Sequence, residues 1–317
     1  MEAAFPVSTG GKPRPPWGGG PTGSFAAVIR LDAASFLLQW AVGGLAFLWV
    51  TTRRREVGVG YGWLLRGVYL AMAAGAVVAG RAGSHGHGAV GAAAVRDGAA
   101  AAVVLATAGA LVVSVLRRRA GVAGERVRLE DRRARVTAMT GIERAATGPD
   151  PDVPEFPPAL DLLGPAMGLV GLVAAGIGAG DPAWLAVVRT VVGAGFLGSV
   201  TDAMLLGHWY LVQPGLGRGP LLELVRWTAL LWPLEVVALL VPTGMISVLT
   251  GTIDDGYGGI LGWMWVACAA TTLGLVLVTR AALAERAYSA VMAATGLLYL
   301  AILTAFGTDL VARAVLA

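Results

Sequence analysis

The segment DGAAAAVVLATAGALVVSVLRRR, residues 97–119, indicates the fold class of this protein. Between its aspartate and its three arginines stand 19 uncharged, mostly apolar residues. A helix needs about 20 such residues to cross the hydrocarbon core of a bilayer, which is about 30 Å thick. Backbone N–H and C=O groups in lipid must be bonded within their own segment, so the stretch predicts a membrane-spanning helix. It lacks the apolar and polar alternation of a β-barrel strand.

Segments of this kind recur along the chain. Of its 317 residues, 56% are hydrophobic and 14% are charged, whereas about 25% of residues are charged in a typical soluble domain. Eight segments are long and apolar enough to span a membrane: 33–51, 60–80, 97–116, 160–180, 184–207, 221–242, 259–279 and 288–311. We therefore predict an all-α, polytopic transmembrane helical bundle with about eight spans.

The arginines predict how this bundle is oriented. Segments one, three, five and seven are followed by arginine, at residues 53–55, 117–119, 218, 280 and 286. The positive-inside rule makes these ends cytoplasmic and both termini extracytoplasmic. The chain has one Lys, no Asn and 46 Gly, a composition typical of a GC-rich bacterial genome. We expect a protein of the bacterial plasma (inner) membrane.

The net charge of +4 is explained by this topology. The excess arginines flank apolar segments, so the lipid bilayer is the expected partner and nucleic acid is not. The sequence identifies no protein partner.

The chain divides into four regions. Residues 1–24, rich in Pro and Gly, are predicted to form a disordered extracytoplasmic tail. Residues 25–116 hold the first transmembrane part, with three helices, and residues 160–317 hold the remaining five. The charged segment 117–159 is predicted to be a cytoplasmic loop, and its first half has the composition of a surface helix that lies on anionic lipid.

Weak internal similarity relates the two halves. Segments 166–181 and 294–309 share the pattern Ala-x-Gly-Leu-x-x-Leu and a closing Asp, without gaps and at an offset of 128 residues. Arg66 and Arg226 also occupy similar places near the start of segments two and six. The pattern is that of a 4+4 parallel repeat, a symmetry found in transporters, although coincidences are frequent in a chain this rich in Gly, Ala and Leu.

Charged residues within the spans are the first candidates for function. A charge near the bilayer centre costs about 2.5–3.5 kcal/mol on insertion scales. Segments five and six carry Arg189, Asp202, Arg226 and Glu235. Depth along the helices allows two ion pairs, Arg189–Glu235 and Asp202–Arg226, but two straight helices have side-chain directions that suit only one of them. Pro233 relaxes this limit if it kinks segment six.

Some of the charged residues in these segments also have a structural interpretation. Asp202, Arg226 and the neighbouring Glu223 can reach the cytoplasmic interface as extended side chains. Glu235 is too short and too deep to do so, which leaves three alternatives: a neutral acid, a paired carboxylate, or part of a proton or ion path. The polar stretch 243–258 is predicted to be an outer loop, or a short re-entrant piece that carries Asp254 and Asp255 toward Glu235.

A second candidate site lies where segment five leaves the membrane. His208 and Tyr210 follow the apolar run, and Trp209 stands between them. Aromatic residues at this depth are typical of an interfacial belt. A ligand, a quinone headgroup or a proton relay that includes Asp202 is the functional alternative.

Metal and cofactor chemistry has little support in the sequence. His85 and His87 form a His-x-His pair on a glycine-rich outer loop, a weak candidate for copper or zinc because two ligands make an incomplete site. The predicted topology places them on the side opposite His208, which disfavours a haem held by two histidines. Cys268 is the single cysteine, so a cysteine-based metal site is excluded. The cofactor, if there is one, is unknown.

Two interpretations of function stay open. The first is a small-solute or ion transporter with a buried-charge site on segments five and six. The alternative is a cofactor-handling or accessory membrane subunit of a respiratory or redox assembly. An enzyme is disfavoured, because the chain contains no P-loop, nucleophile elbow or HExxH motif.

Overall fold

The protein is all-α, as its sequence predicts. The structure, a computed structural model, describes residues 32–83, 90–141, 150, 152–213, 215–241 and 244–316. Within these ranges there is no strand, and the helices are α1 Ala33–Thr52, α2 Val59–Gly83, α3 Val90–Leu116, α4 Ala123–Thr140, α5 Leu163–Ile177, α6 Ala183–Val212, α7 Gly219–Leu240, α8 Met245–Leu249, α9 Ile260–Ala284 and α10 Tyr288–Leu316. A 3₁₀ turn, Pro158–Leu162, leads into α5.

Seven of the helices in the described ranges are long and apolar enough to cross a membrane: α1, α2, α3, α5 with its leading turn, α6, α9 and α10. The segment that completes the predicted eight is α7. Its 22 residues extend over about 33 Å at about 1.5 Å per residue, but they include three charged residues, Glu223, Arg226 and Glu235. An eighth crossing by α7 stays a prediction.

Helices α1 and α6 form the centre of the bundle. Within their apolar stretches, 67% of α1 and 61% of α6 are buried, against 28–39% for the other candidate spans. Helix α1 packs on α2, α5 and α6, and α6 packs in addition on α7 and α10. The residues of these two helices are therefore placed to form sites inside the bundle.

The contact between α1 and α6 depends on glycine. The backbones of Gly43 and Gly198 lie against each other, and a Cβ atom at Gly198 would overlap the backbone of Gly43. A Cβ atom at Gly43 would in turn overlap the carbonyl group of Ala194. The two central helices can approach this closely because neither position has a side chain.

One end of the bundle gathers arginines that follow different helices. Arg53 and Arg54, after α1, both bind the carboxylate of Glu223 in the second turn of α7. Arg218, before α7, donates to the backbone carbonyls of Arg286 and Ala287, each at 2.9 Å. We call this the arginine-rich end. The prediction that it faces the cytoplasm agrees with this gathering but is not tested by it.

The charged segment between α3 and α5 contains a surface helix. Helix α4 has no buried residue, and it is held at the arginine-rich end by contacts with the connection after α1. The backbone N–H of Gly124 donates to the carbonyl of Arg55 at 2.9 Å, and Arg128 donates to the carbonyl of Glu56 at 2.8 Å. The described part of 117–159 thus contains the helix that its composition indicates.

The described part of the polar stretch, residues 244–258, lies at the other end, which we call the opposite end. It contains the short helix α8 and most of the connection to α9, which begins at Ile260. Asp255 accepts backbone N–H bonds from Gly259 at 2.8 Å, Tyr257 at 2.9 Å and Leu261 at 2.8 Å. Both oxygens of Asp255 cap α9, so this residue does not form the acidic vestibule toward Glu235 that its position in the sequence allows.

The cap at Asp255 predicts a pH-dependent contribution to stability. Hydrogen bonds from the N–H groups of Gly259, Tyr257 and Leu261 hold the pKa of Asp255 below its usual range. A carboxylate with a lowered pKa stabilises the folded protein above its unfolded pKa, and the stabilisation is lost as the pH falls through the folded value. We expect Asp255→Ala to lower the Tm at neutral pH, with a difference from wild type that shrinks in acid.

Asp254→Ala serves as the matched control for this cap. Asp254 accepts one bond, from the backbone N–H of Gly256 at 2.9 Å, and it does not cap α9. The Tm of the Asp254→Ala variant should lie closer to that of the wild type than the Tm of Asp255→Ala does, at neutral pH above all. A Tm deficit of Asp255→Ala that is the same at neutral and acid pH would contradict the assignment.

The glycine contact between α1 and α6 predicts a large effect of one methyl group. Gly198→Ala must push the two helices apart, and overpacking of this kind costs about 1–3 kcal/mol. Gly296→Ala is the control, because the space around Gly296 in α10 is open and an alanine inside a helix stabilises by about 0.5–1 kcal/mol relative to glycine. Thermal unfolding in detergent should show a lower Tm for Gly198→Ala alone. Equal Tm values for the two variants would argue against the close contact.

Candidate functional site

Five polar side chains meet inside the bundle near the opposite end. They come from α1, α6, α7 and α10, and each is at most 1% exposed. We call them the Glu235 cluster: Gln39, Arg189, Glu235, Asp309 and Arg313. Each lies within about 11 Å of the end of its helix, at about 1.5 Å per residue. The cluster contains two arginines and two carboxyl groups, so its formal charges can cancel.

The two arginines of the cluster are bonded differently. Arg313 donates from Nε to Asp309 at 2.7 Å, one turn earlier in α10, and from Nη2 to the side-chain oxygen of Gln39. Arg189 donates to two backbone oxygens at the end of α7, that of Ala238 in the last turn at 2.7 Å and that of Val241, the residue after the helix, at 3.2 Å. Arg189 therefore holds the end of α7 and forms no ion pair within 4.0 Å in the part of the chain that the structure describes.

Glu235 is the least satisfied member of the cluster. It is fully buried, and neither of its carboxyl oxygens has a hydrogen-bond partner among the described residues. The charges that act on it are those of Asp309, Arg313 and Arg189. The Arg189–Glu235 neighbourhood predicted from helix depth is therefore present, while a salt bridge within 4.0 Å between the two is absent from the described structure.

Unpaired polar atoms are concentrated in this cluster. The described residues contain ten buried side-chain nitrogen or oxygen atoms without a hydrogen-bond partner, and five belong to it: Gln39 Nε2, Arg189 Nη1, Glu235 Oε1 and Oε2, and Asp309 Oδ1. A buried ion costs several kcal/mol unless charge and hydrogen bonds compensate it. Carboxyl oxygens that keep free lone pairs beside two guanidinium groups can take up a proton or a small polar ligand.

The local sequence of α7 helps to place Glu235. Pro233, two residues earlier, has no N–H to donate inside the helix, which frees a backbone carbonyl and favours a kink. Trp232, beside it, donates from its indole nitrogen to the carbonyl of Ala269 in α9 at 2.9 Å. This bond fixes the middle of α7 against α9, one turn before Glu235.

Asp202 has different partners from those that depth suggested. The hydroxyl of Tyr69 donates to its Oδ1, and its Oδ2 has no partner among the described residues. Arg226 does not meet it. Arg226 is exposed in a row with Leu222 and Leu230 on the outer face of α7, while Leu224 and other residues of the inner face pack in the core. The predicted Asp202–Arg226 pair is wrong, because equal depth does not require facing sides.

His208 and Tyr210 have different environments in the structure. Tyr210 is buried and donates from its hydroxyl to the carbonyl of Gly217, which closes the turn between α6 and α7. His208 is exposed, and its Nδ1 lies 3.3 Å from the hydroxyl of Tyr299 in α10. The structure does not join His208 to Asp202, whose side chain is turned toward α2. His85 and His87 lie outside the described residues.

One buried ion pair was missed from the sequence. Arg66 of α2 binds Asp161 through Nε and Nη2, both at 2.8 Å, and both residues are at most 3% exposed. Thr52 of α1 donates to the same carboxylate at 2.8 Å, and Ser114 of α3 accepts from Arg66 at 3.2 Å. The pair joins α1, α2 and α3 to the turn before α5. Its polar groups bond one another, as expected of a structural clamp.

Three members of the Glu235 cluster were also missed: Gln39, Asp309 and Arg313. The spacing of Asp309 and Arg313, four residues apart in an apolar segment, is that of a helical ion pair and was the available signal. Gln39 is uncharged, and only its neighbours identify it.

The environments of corresponding residues in the two halves do not support the predicted repeat. Asp181 is exposed, whereas Asp309, its counterpart at the offset of 128 residues, is buried. Arg66 is buried in an ion pair, whereas Arg226, its counterpart, is exposed. The 4+4 repeat stays a prediction.

The chain matches no protein-family model, no curated protein and no solved structure. In the described ranges no group of three His, Cys, Asp or Glu residues is arranged to hold a metal ion. What the structure does support is a class: seven apolar helices around buried polar groups are compatible with a multi-pass membrane protein.

The two kinds of ion pair predict different costs of substitution. Asp161→Ala leaves the buried guanidinium of Arg66 without its carboxylate, and breaking a buried pair costs about 3–5 kcal/mol. Glu223→Ala is the control, because its arginine partners are 37–40% exposed and exposed pairs contribute at most about 1 kcal/mol. Unfolding of the purified variants in detergent measures both. A loss of stability no larger for Asp161→Ala than for Glu223→Ala would contradict the clamp.

Proposed function

We propose that this protein transports a small solute or ion across a membrane and couples that movement to protons at Glu235. One observation carries the proposal. Glu235 is fully buried, its two oxygens have no hydrogen-bond partner in the described structure, and Asp309, Arg313 and Arg189 act on it through their charges.

The contrast with Arg66 and Asp161 supports a functional interpretation of this cluster. That pair satisfies its charges with two short bonds and two hydroxyl partners. A group that must bind and release a ligand keeps bonding capacity in reserve. The free oxygens of Glu235 and Asp309 have this property, and charged residues within a membrane are by default candidates for ion and proton paths.

A proton is the simplest ligand for the cluster. Two carboxyl groups that act on each other in a low-dielectric site repel when both are ionised, and one shared proton removes that repulsion. When the proton leaves, the guanidinium groups of Arg189 and Arg313 provide compensating charge. The cluster can therefore exist with Glu235 protonated or ionised, as a coupling site requires.

Access to the cluster is proposed from the opposite end. Gly244, just before α8, lies against Arg189, since a Cβ atom at Gly244 would stand 3.0 Å from the Nη2 atom of Arg189. Met245, which begins α8, is fully buried. Arg189 also binds the last carbonyls of α7, so release of these bonds would uncover the cluster on that side.

The proposal includes the orientation predicted from the sequence. Helix α7 would be the eighth crossing, with the arginine-rich end in the bacterial cytoplasm and both termini outside. The length of α7 and its packing against α6 and α9 support this arrangement. The Glu235 cluster would then lie in the extracytoplasmic half of the membrane.

One observation favours the second candidate, an accessory subunit of a redox assembly. His208 and Tyr299 form an exposed polar contact on α6 and α10, with ring planes at 88°. Tyr299 is 44% exposed, and the neighbouring Leu300 and Leu303 are exposed apolar residues. A partner subunit that covered this surface would bury the pair. An optical spectrum and metal analysis of the purified protein distinguish bound haem or copper from their absence.

Proton flux into liposomes tests the proposed function. Wild-type protein in vesicles with an imposed pH gradient, a trapped pH dye and valinomycin should dissipate the gradient several-fold faster than empty vesicles. Glu235→Gln keeps the shape of the side chain and removes the titrating group, so its rate should fall to that of empty vesicles.

The control for this experiment is Glu223→Gln, a glutamate of the same helix outside the cluster, which should keep the wild-type rate. If Glu235→Gln transports protons at the wild-type rate, Glu235 has no part in the mechanism. Orientation can be measured in the same preparation through labelling of single cysteines introduced at each end.

A further inference from the structure

Asp202 belongs to a second buried site, separate from the Glu235 cluster. On α6 it follows Arg189 by 13 residues, which is about 20 Å along the axis at about 1.5 Å per residue. The contact between Gly43 and Gly198 lies between the two positions, and the helix backbones meet there without space for water. A group bound at one site is therefore not in contact with the other.

The Asp202 site is built from α2 and α6, with room provided by α1. Tyr69 and Tyr61 of α2 are both fully buried. The hydroxyl of Tyr69 donates to the carboxyl oxygen Oδ1, and that of Tyr61 reaches the backbone carbonyl of Asp202 at 3.4 Å. A Cβ atom at Gly44 would overlap the ring of Tyr69, so glycine at this position allows the phenol to reach Asp202.

Asp202 has no counter-charge. In the described parts of the chain it forms no salt bridge, and its Oδ2 accepts no hydrogen bond. The titratable groups that face it are Tyr69 and Tyr61 of α2. The other helices packed on α6 contribute apolar residues to the surrounding core, including Leu48 of α1, Leu224 of α7 and Leu298 of α10.

These observations indicate what the site holds. No neighbouring charge compensates the desolvation of a carboxylate in a fully buried, uncharged environment. A single hydrogen bond from a phenol offsets only a small part of that cost. A proton on the carboxyl group removes the charge and keeps the bond to Tyr69. The proton is also the only ligand that needs no further space in a pocket so closely packed.

We propose that Asp202 is a proton-binding site in its own right: it carries a proton in the resting protein and exchanges that proton with the arginine-rich end, past Tyr61. On release, the O–H bond of the acid breaks, its electron pair stays on the carboxylate, and the proton passes to water at the arginine-rich end. Tyr69 can pass a proton by accepting one on its oxygen while it gives up its own. The role of this site in series with Glu235 rests on the proposed function, whereas the proton on Asp202 does not.

Infrared spectroscopy of the full-length protein in lipid nanodiscs tests this proposal directly. A protonated carboxyl group gives a C=O stretching band that is separate from the amide bands and shifts in D₂O. The spectrum of the wild type minus that of Asp202→Asn at neutral pH should show this band. The same band should persist in Glu235→Gln, which changes the other site.

Tyr69→Phe provides a second, independent variant. It removes the hydrogen bond to Oδ1 and leaves the carboxyl group in place, so the Asp202 band should move to higher frequency without loss of intensity. This variant keeps the test valid if Asp202→Asn fails to fold.

The outcomes separate the two proposals. Absence of the band from the wild type, or a band unaffected by both Asp202→Asn and Tyr69→Phe, would overturn the protonated Asp202. The band can respond as expected while the Glu235→Gln variant keeps its proton flux. This result would support the proton site at Asp202 and contradict the proposed function of Glu235. Exchange with the arginine-rich end requires in addition that Tyr61→Phe slow the H–D shift of the band, and an unchanged rate would refute that path.

Discussion

A bilayer offers no water to a polar side chain, so each polar group of this bundle must find its partner inside the protein. This constraint separates two kinds of buried charge. Arg66 and Asp161 bind each other twice and also bond hydroxyl groups from two further helices, which satisfies the constraint and holds four segments together. Among the residues that the structure describes, neither oxygen of Glu235 has a hydrogen-bond partner. Buried groups with strongly perturbed electrostatics cluster at functional sites, so Glu235 indicates function better than the satisfied pair of Arg66 and Asp161 does.

Helix α6 connects the features that matter most. It carries Arg189 near one end and Asp202 well inside the bundle, and between them its glycine meets Gly43 of α1. A packed interior is not continuously deformable, so a backbone contact of this kind is either closed or broken. The geometry of the central helix pair thus sets both the separation of the two acid sites and the motion that would be needed to join them.

The sequence predicts which segments are helical, but not which helices lie next to one another. Length and apolarity identified the seven candidate spans and α7. Depth arithmetic placed Arg189 and Glu235 at one level, where the structure brings them together with Asp309 and Arg313. Depth failed for Asp202 and Arg226, because the face of a helix that meets its neighbour depends on which helices are adjacent. Gln39, Asp161 and Tyr69 became recognisable only once α1, α2 and α6 had been placed side by side. Which helices lie next to each other is a property of the packed bundle. Neither the hydrophobic periodicity nor the charge pattern of a single sequence shows it.

The placement of the two acid sites is what a proton-coupled mechanism requires. A continuous polar path through the bundle would let protons cross without any change of conformation, whereas two proton sites on either side of a closed contact cannot exchange at rest. On the proposed mechanism, the Glu235 cluster would communicate with the opposite end beneath Gly244, and Asp202 with the arginine-rich end past Tyr61. Exchange between them would require α1 and α6 to separate at Gly43 and Gly198. The same contact that allows the two helices to pack closely would then also limit proton passage to the moments when the helices separate, which gives a functional reason for glycine at both positions.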